Sequence, residues 1–469
     1  MGIPSYFFQL IKKHKHIIST YKSSAVDNLY LDSNSIIYDV VHSMPTLPLS
    51  EFEDEVIVRV CRKLLSYLDM IQPSRVFIAF DGVPPMAKMK QQKERRYKGW
   101  LLSQTLKEFK PWDTVQITPG TNFMKKLDDS LTLFFEPIRK KYASFHLSTS
   151  QEAGEGEHKL FSFIRDNDHT DQTTMIYGLD SDLIILALNH LDFCNKIVLL
   201  REAPAFMIKD KGSELHLLDI NALSASIQEI MGQDKLNDYI FMTLLLGNDF
   251  MPHFPALNLR TTGMDTLLTT YVETMQNKIM FDGKNIHWDA VRDFITALSS
   301  SEEFLFKKEY TFRNNRYVDS STLEKKTNNL PMIHREKEHI ICPLKPGWQF
   351  RYYATLLPGN TSDICENYVA MMEWNIRYYT TGCTNWTLYY KYAYPPLLED
   401  LAKNIPAQSS LPVDMTIATP PQLLAYVLPH AQLHYLPHDS KVEPKVEPKV
   451  EPKVEWSFCT YMWEAHVIT

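Results

Sequence analysis

Short apolar runs that end in, or lead into, a carboxylate recur along the first 250 residues, and they restrict the fold more than any other feature. The runs are LYLD (29–32), VFIAFD (76–81), EGEHKLFSFI (155–164), MIYGLDSDLIILAL (175–188) and FMTLLLGNDF (241–250). They carry Asp32, Asp81, Glu155, Glu157, Asp180, Asp182 and Asp249. Unbroken apolar runs of this length, bounded by turn residues, predict strands buried on both faces. Such runs at 29–32, 76–81, 174–179 and 197–201 alternate with helical spacing. Residues 1–230 are therefore expected to form an α/β domain, a largely parallel sheet flanked by helices, with the acids along its carboxyl edge. Carboxylates desolvated together repel one another strongly, and divalent cations relieve that repulsion.

Each acid also has a plainer reading. Asp32 precedes the helix-like SNSIIYDVVH and could be a helix cap, and Asp81 precedes Gly82 and could be a turn aspartate. In EAGEGEHK the glycines permit an unusual entry into a helix, and Glu155 and Glu157 could simply complement its dipole. Asp180 and Asp182 flank a serine at a strand-to-helix junction, where both could face one ion or serve as a doubled cap. Asp249 follows Gly-Asn where Pro252 and Pro255 lead the chain out of a helix, a position that opposes the helix dipole and calls for a cation. An oxygen-only donor set, without Cys or a clear His, favours Mg²⁺ or Mn²⁺ over zinc. Two such ions roughly 3.5–4 Å apart would activate water and stabilise the departing oxygen in phosphodiester hydrolysis.

The segment MAKMKQQKERRYK (86–98) holds six Lys or Arg against one Glu and begins shortly after Asp81. As a helix it places Lys88, Gln92, Arg95 and Arg96 at i, i+4, i+7 and i+8, on one face. Point-charge and forked donors together suit a phosphate group. A solvated basic face is the alternative. Formal charge overall is −7, which disfavours general adhesion to nucleic acid, so a polyanion would have to be drawn locally.

Length and composition, 469 residues at 44% hydrophobic, allow two to four domains by the usual soft prior. Six scattered cysteines without a C-x-x-C pair form no evident zinc site or disulfide framework, which suits a reducing compartment. MGIPSYFFQLIKKHKH lacks a secretory layout, and no apolar run reaches the ~18–20 residues that span a bilayer. The expectation is a soluble, intracellular protein without membrane partners. Residues 235–435 read as mainly helical apart from a polar 310–340 stretch, with LNLRTTGMDTLLTTYVETM as a helix beside the site. The repeat KVEPKVEPKVEPKVE (441–455) predicts a disordered, extended spacer, and WSFCTYMWEAHVIT (456–469) a segment returning to the body as a strand.

In that order, MGIPSYF, DNLYLDSNSIIYDVVH, AFDGVPPMAKMKQQKERR, ITPGTNFM, EAGEGEHK, YGLDSDL and LLGNDFMPHFP resemble the XRN-type 5′→3′ exoribonuclease family. GWQFRYY (347–353), residues 368–401 and PPQLLAYVLP (420–429) resemble its second conserved region; the likeness thins between about 255 and 345 and after 430. The resemblance implies a PIN/5′-nuclease-like core, the seven acids as ligands of two Mg²⁺ or Mn²⁺ ions, and Lys88, Gln92, Arg95 and Arg96 as a pocket for a 5′-monophosphate. It implies single-stranded RNA as substrate, shortened to mononucleotides, with Trp386 stacking a leading base, although an ordinary core role for Trp386 remains open. Single-stranded DNA is left open as a second substrate, and a monomer is expected. Where the family has a base-gripping histidine this chain has Tyr38, which stacks but carries no positive charge. The long C-terminal additions of larger cytoplasmic members have no counterpart here, so their partner recruitment is not carried over. Shortness and the MGIPSYF opening are similar to versions encoded by large DNA viruses, which points to the cytoplasm, that of the host cell for a viral protein. Two alternatives stand: a flap-type structure-specific DNA nuclease, and a non-catalytic RNA-binding scaffold.

Overall fold

The structure, a computed structural model, describes residues 2–3, 5–23, 26–45, 47–106, 112–202, 215–437 and 453–468. Its first half is built on seven strands: β1 (Ile18–Thr20), β2 (Asn28–Asp32), β3 (Arg75–Ala79), β4 (Ser144–Ser148), β5 (Thr173–Tyr177), β6 (Lys196–Glu202) and β7 (Leu215–Asp219). They lie in the order β1-β7-β6-β5-β2-β3-β4. The five strands from β6 to β4 are parallel, while β7 runs antiparallel to both β6 and β1. The largely parallel sheet expected from the apolar runs is present. Strands β1, β4 and β7 went unread because their sequences, IST, SFHLS and LHLLD, interrupt apolar residues with polar ones. The edge strands β1 and β4 face solvent along part of their length and need no continuous apolar run, while β7, between β1 and β6, alternates buried with partly exposed residues.

Helices α1 (Tyr6–Lys13), α2 (Asn34–His42), α3 (Leu49–Ile71), α4 (Met86–Leu106), α5 (Asn122–Phe135), α6 (Gly156–Asp166), α7 (Asp182–Asn189) and α8 (Ile220–Met231) accompany the strands. Side chains alternate across each strand. Leu29, Leu31, Val76, Ile78, Met175 and Tyr177 pack with α2, α3 and α5 on one face. Tyr30, Phe77, Ile176, Leu199 and Leu218 pack on the other with α1, α6, α7 and α8, in a core continuous with the second half. That second half is carried by helices including Leu236–Thr243, Gly263–Thr274, Trp288–Asn315, Trp348–Leu356, Thr361–Thr380 and Pro420–Val427. A third cluster joins Met89 of α4 to Leu423, Leu424 and Val427, so α4 lies between the two halves.

The polar stretch 310–340, expected to interrupt the helices, is helical at Leu323–Asn328, Leu330–Ile333 and Glu336–Ile341. Its charges misled because several are buried in pairs rather than solvated. Glu338 accepts from Arg313 (2.6 and 3.1 Å) and from Arg335 (2.6 Å), and all three are buried. It also accepts the Phe458 backbone N–H at 2.8 Å, which fastens the C-terminal segment to this triad. Most of the KVEP repeat lies outside the described residues, but its last three do not behave as a spacer. Lys453–Glu455 forms a strand, antiparallel to His466–Ile468, and Glu455 accepts from the Ser457 hydroxyl (2.7 Å) while pairing with Lys337. This last Lys-Val-Glu is ordered by partners on both sides.

Removing one member of a buried ion group leaves the others uncompensated, at a cost of about 3–5 kcal/mol. Glu338→Ala is therefore expected to lower the thermal unfolding midpoint clearly; an unchanged midpoint would show that the triad contributes nothing net.

Candidate metal centre and basic helix

The parallel strands deliver the acids to one edge. Asp32 is the last residue of β2, Asp81 follows β3, Asp180 follows β5 and Asp182 opens α7. Glu155 caps α6 and Glu157 lies in its first turn. Asp249 arrives from the second half, after the short turn Leu244–Leu246 and Gly247, whose φ of 76° suits glycine. The backbone N–H of Gly156 donates to Asp81 Oδ1 at 2.7 Å. A methyl group on Gly156 would lie 2.7 Å from Asp32 Oδ1 and 3.5 Å from Asp81 Oδ1, so the glycine is what lets these carboxylates close around the α6 N-terminus. Asn34, which the sequence reading missed, holds Asp81 reciprocally: its amide donates to Oδ2 at 2.6 Å and its carbonyl accepts the Asp81 N–H at 3.1 Å. Its place two residues after Asp32 was the available signal.

Electrostatics tie all seven acids into one group. Burial, then Asp81 and Asp180, push the Asp32 carboxyl well above its usual range. Burial, then Asp182 and Glu155, do the same to Glu157, and burial with Asp249 raises Asp182 to about 7. Glu155 is raised by burial, which outweighs the opposing Lys88. Asp180 moves the other way, to about 2: burial favours the neutral acid, but surrounding positive charges, Lys88 and Arg95 among them, outweigh it. Asp249 is likewise lowered despite burial, with Lys88 the leading cause. The Lys88 ammonium lies 2.5 Å from Glu155 Oε2 and 2.7 Å from Asp249 Oδ2. It is thus paired with two of the acids rather than held free for a phosphate.

Do these residues fit divalent ions? Among the described residues no three acidic, His or Cys groups converge on a preformed ion position. The donor chemistry nonetheless suits one: Glu157 Oε2 and Asp182 Oδ1 are buried without hydrogen-bond partners, and the donors are hard oxygens in electrostatic excess. Withdrawal of Lys88 would free one oxygen on Glu155 and one on Asp249.

The basic segment is a helix, as its spacing predicted, but not a solvated one. Lys90 donates to the carbonyls of Tyr390 (2.8 Å) and Tyr392 (3.2 Å), Lys98 to those of Trp463 and Ala465 (both 2.7 Å), and Lys93 lies 4.9 Å from the Tyr426 ring centre. Lys88, Gln92 and Arg96 are buried. Arg95 reaches water while protein surrounds it, because it lines a cavity of about 190 Å³ together with Asp249, Lys90 and Gln91. Burial opposes its charge, but Tyr38, Asp249, Asp180 and Asp81 outweigh burial and raise its pKa. Arg96 is pulled down to about 10 by burial, against a hydrogen bond with Tyr38. Its Nε is buried without a partner. Tyr38, half-buried on α2, thus hydrogen-bonds Arg96 and lies within electrostatic reach of Arg95. Trp386, also half-buried, sits at the start of α4, where its carbonyl accepts the Met86 N–H at 2.8 Å.

Comparison with known proteins shows what the chain is similar to. The family model described as XRN 5′-3′ exonuclease N-terminus matches residues 1–203, and that of the Xrn1 helical domain matches 232–343 and 341–441. The 5′-3′ exoribonuclease 2 of Eremothecium gossypii is 28% identical over 426 residues, covering 72% of this chain and 45% of that protein. Human 5′-3′ exoribonuclease 1 is 27% identical over 534 residues, covering 93% of this chain and 31% of that protein. The chain thus spans less than half the length of these curated relatives. Among solved structures, the catalytic core of Rad2 in complex with DNA substrate aligns with a TM-score of 0.35 at 14% identity, over 70% of this chain and 85% of that one.

Proposed function

This chain belongs to the XRN 5′-3′ exonuclease family, and we propose that it hydrolyses single-stranded RNA from a 5′-monophosphate end, releasing mononucleotides. The observation that carries the reading is the position of Arg95: it lines a cavity shared with Asp249 while its charge is sustained by Asp249, Asp180 and Asp81. A terminal phosphate held by Arg95, Arg96 and Gln92 would lie against the acid group, so the distance to the attacked phosphodiester is counted from the 5′ end. A 5′-triphosphate or cap is expected to be too large to enter.

The seven acids would hold two Mg²⁺ or Mn²⁺ ions, which when bound supply an activated water and charge stabilisation for the departing oxygen. The protein's own residues do the rest. Arg95 and Arg96 neutralise and orient the end by charge-assisted hydrogen bonds, while Tyr38 and Trp386 stack leading bases, worth roughly 1–3 kcal/mol each. With the acids occupied by ions, Lys88 would be released from Glu155 and Asp249 and would be within reach of the phosphate. Cytoplasmic RNA is the proposed target.

The test offers purified protein and Mg²⁺ RNAs with 5′-monophosphate, 5′-hydroxyl or 5′-triphosphate ends, a single-stranded DNA and a flapped DNA duplex. The 5′-monophosphate RNA should be consumed fastest, to mononucleotides. Faster cleavage of the flapped DNA would establish the flap-nuclease alternative, and binding without turnover the scaffold. In a companion measurement, EDTA is expected to stop hydrolysis and excess Mg²⁺ or Mn²⁺ to restore it. Persistent activity after exhaustive chelation would exclude the metal centre.

A further inference from the structure

The helix Thr361–Thr380, far from the acids in sequence, reaches them through two consecutive tyrosines. The Tyr378 hydroxyl donates to Glu155 Oε1 at 2.8 Å. The Tyr379 hydroxyl accepts from the Asn248 side-chain amide at 3.2 Å. Asn248 in turn accepts the backbone N–H groups of Phe250 (3.0 Å) and Met251 (3.1 Å), closing the turn that presents Asp249. One helix therefore touches the supports of two acids that arrive from opposite halves of the chain.

The Tyr378 ring has little freedom. It stacks on His158 with centroids 3.6 Å apart at 17°, and on Trp374 at 4.8 Å and 27°, while Phe250 meets it edge-on at 5.5 Å. His158 follows Glu157 and Phe250 follows Asp249, so the column is built from neighbours of the acids. A phenol fixed on three sides holds its O–H in one direction. That O–H occupies Glu155 Oε1 and leaves Oε2, now on Lys88, as the oxygen facing the other acids.

We infer that Tyr378, with Tyr379 in support, is a positioning residue of the metal centre: its hydroxyl orients Glu155 so that one carboxylate oxygen is kept for a divalent ion. The inference rests on the metal-dependent reading above and deepens it, because it makes the helix Thr361–Thr380 part of the ion site. A hydrogen bond to a ligating carboxylate removes rotational freedom that binding would otherwise have to freeze, and losing such a partner commonly weakens metal affinity about 10–100-fold.

The experiment titrates RNA-free protein with Mn²⁺, following free ion by electron paramagnetic resonance, and separately measures turnover against Mg²⁺ concentration. Tyr378→Phe keeps the ring and its stack while deleting the hydroxyl. It should weaken Mn²⁺ binding about 10–100-fold, raise the Mg²⁺ needed for half-maximal rate in parallel, and leave KM for RNA unchanged. Tyr379→Phe should weaken Mn²⁺ binding less, and it carries the same test through the Asn248 turn if Tyr378→Phe fails to fold. In a Glu155→Gln background, Tyr378→Phe should add no further loss. Wild-type Mn²⁺ affinity in the folded variants overturns the inference and leaves the proposed function standing. A wild-type protein that binds no Mn²⁺ overturns both.

Discussion

Asp182→Ala, and equally Asp180→Ala, is expected to abolish hydrolysis while the protein stays folded and still binds RNA. Each substitution removes a carboxylate from the junction of β5 and α7, where Asp182 is held near a pKa of about 7 by burial and by Asp249. Ion-based stabilisation of a phosphodiester transition state is worth several kcal/mol, and every 1.36 kcal/mol is tenfold in rate. The loss should therefore be about 10³-fold or more. Stability in EDTA gives a second readout with the opposite sign. Deleting one of several mutually repelling buried acids relieves repulsion, so Asp182→Ala without divalent ions should unfold no earlier than wild type. Near-normal turnover by either folded variant would remove these residues from the metal assignment.

Arg95→Ala combined with Arg96→Ala is expected to erase end selection. Each charge-assisted hydrogen bond to the terminal phosphate contributes about 1.5–3 kcal/mol, so two lost bonds correspond to roughly 10²–10⁴-fold in rate on 5′-monophosphate RNA. Decay of 5′-hydroxyl RNA should change far less, since stacking and backbone contacts persist. The wild-type preference should thus collapse toward equal, slow rates. A merely electrostatic surface predicts uniform, salt-sensitive weakening of both substrates. If the double variant keeps the wild-type ratio between the two ends, the arginines do not select the end. Tyr38, which hydrogen-bonds Arg96, should lose that anchor in the same variant.

What the sequence disclosed and what it hid divide along physical lines. Buried parallel strands leave continuous apolar runs, so β2, β3, β5 and β6 could be read, together with the acids at their tips. The 3.6-residue period likewise exposed the common face of α4. The edge strands β1 and β4, the alternating strand β7 and the buried Arg313–Glu338–Arg335 group were hidden, because half-solvated strands and paired charges both look like surface. The partners of the acids were hidden for a different reason. Tyr378 lies 223 residues from Glu155 in sequence, and no spacing rule links them. Lys88 could be placed on the right face from its position alone, but not assigned to the acids, since that choice depends on how many negative charges converge there.

Helix α4 is fixed at one end by the carbonyl of Trp386 and farther along by carbonyls of residues 463 and 465, while its middle presents the arginines. The regions 1–203 and 232–441 are therefore expected to be exchanged between relatives only as one unit. A recombination that replaced either half would leave the arginines on an unsupported helix. Insertions are expected to be tolerated best in loops whose described residues make no contact with α4.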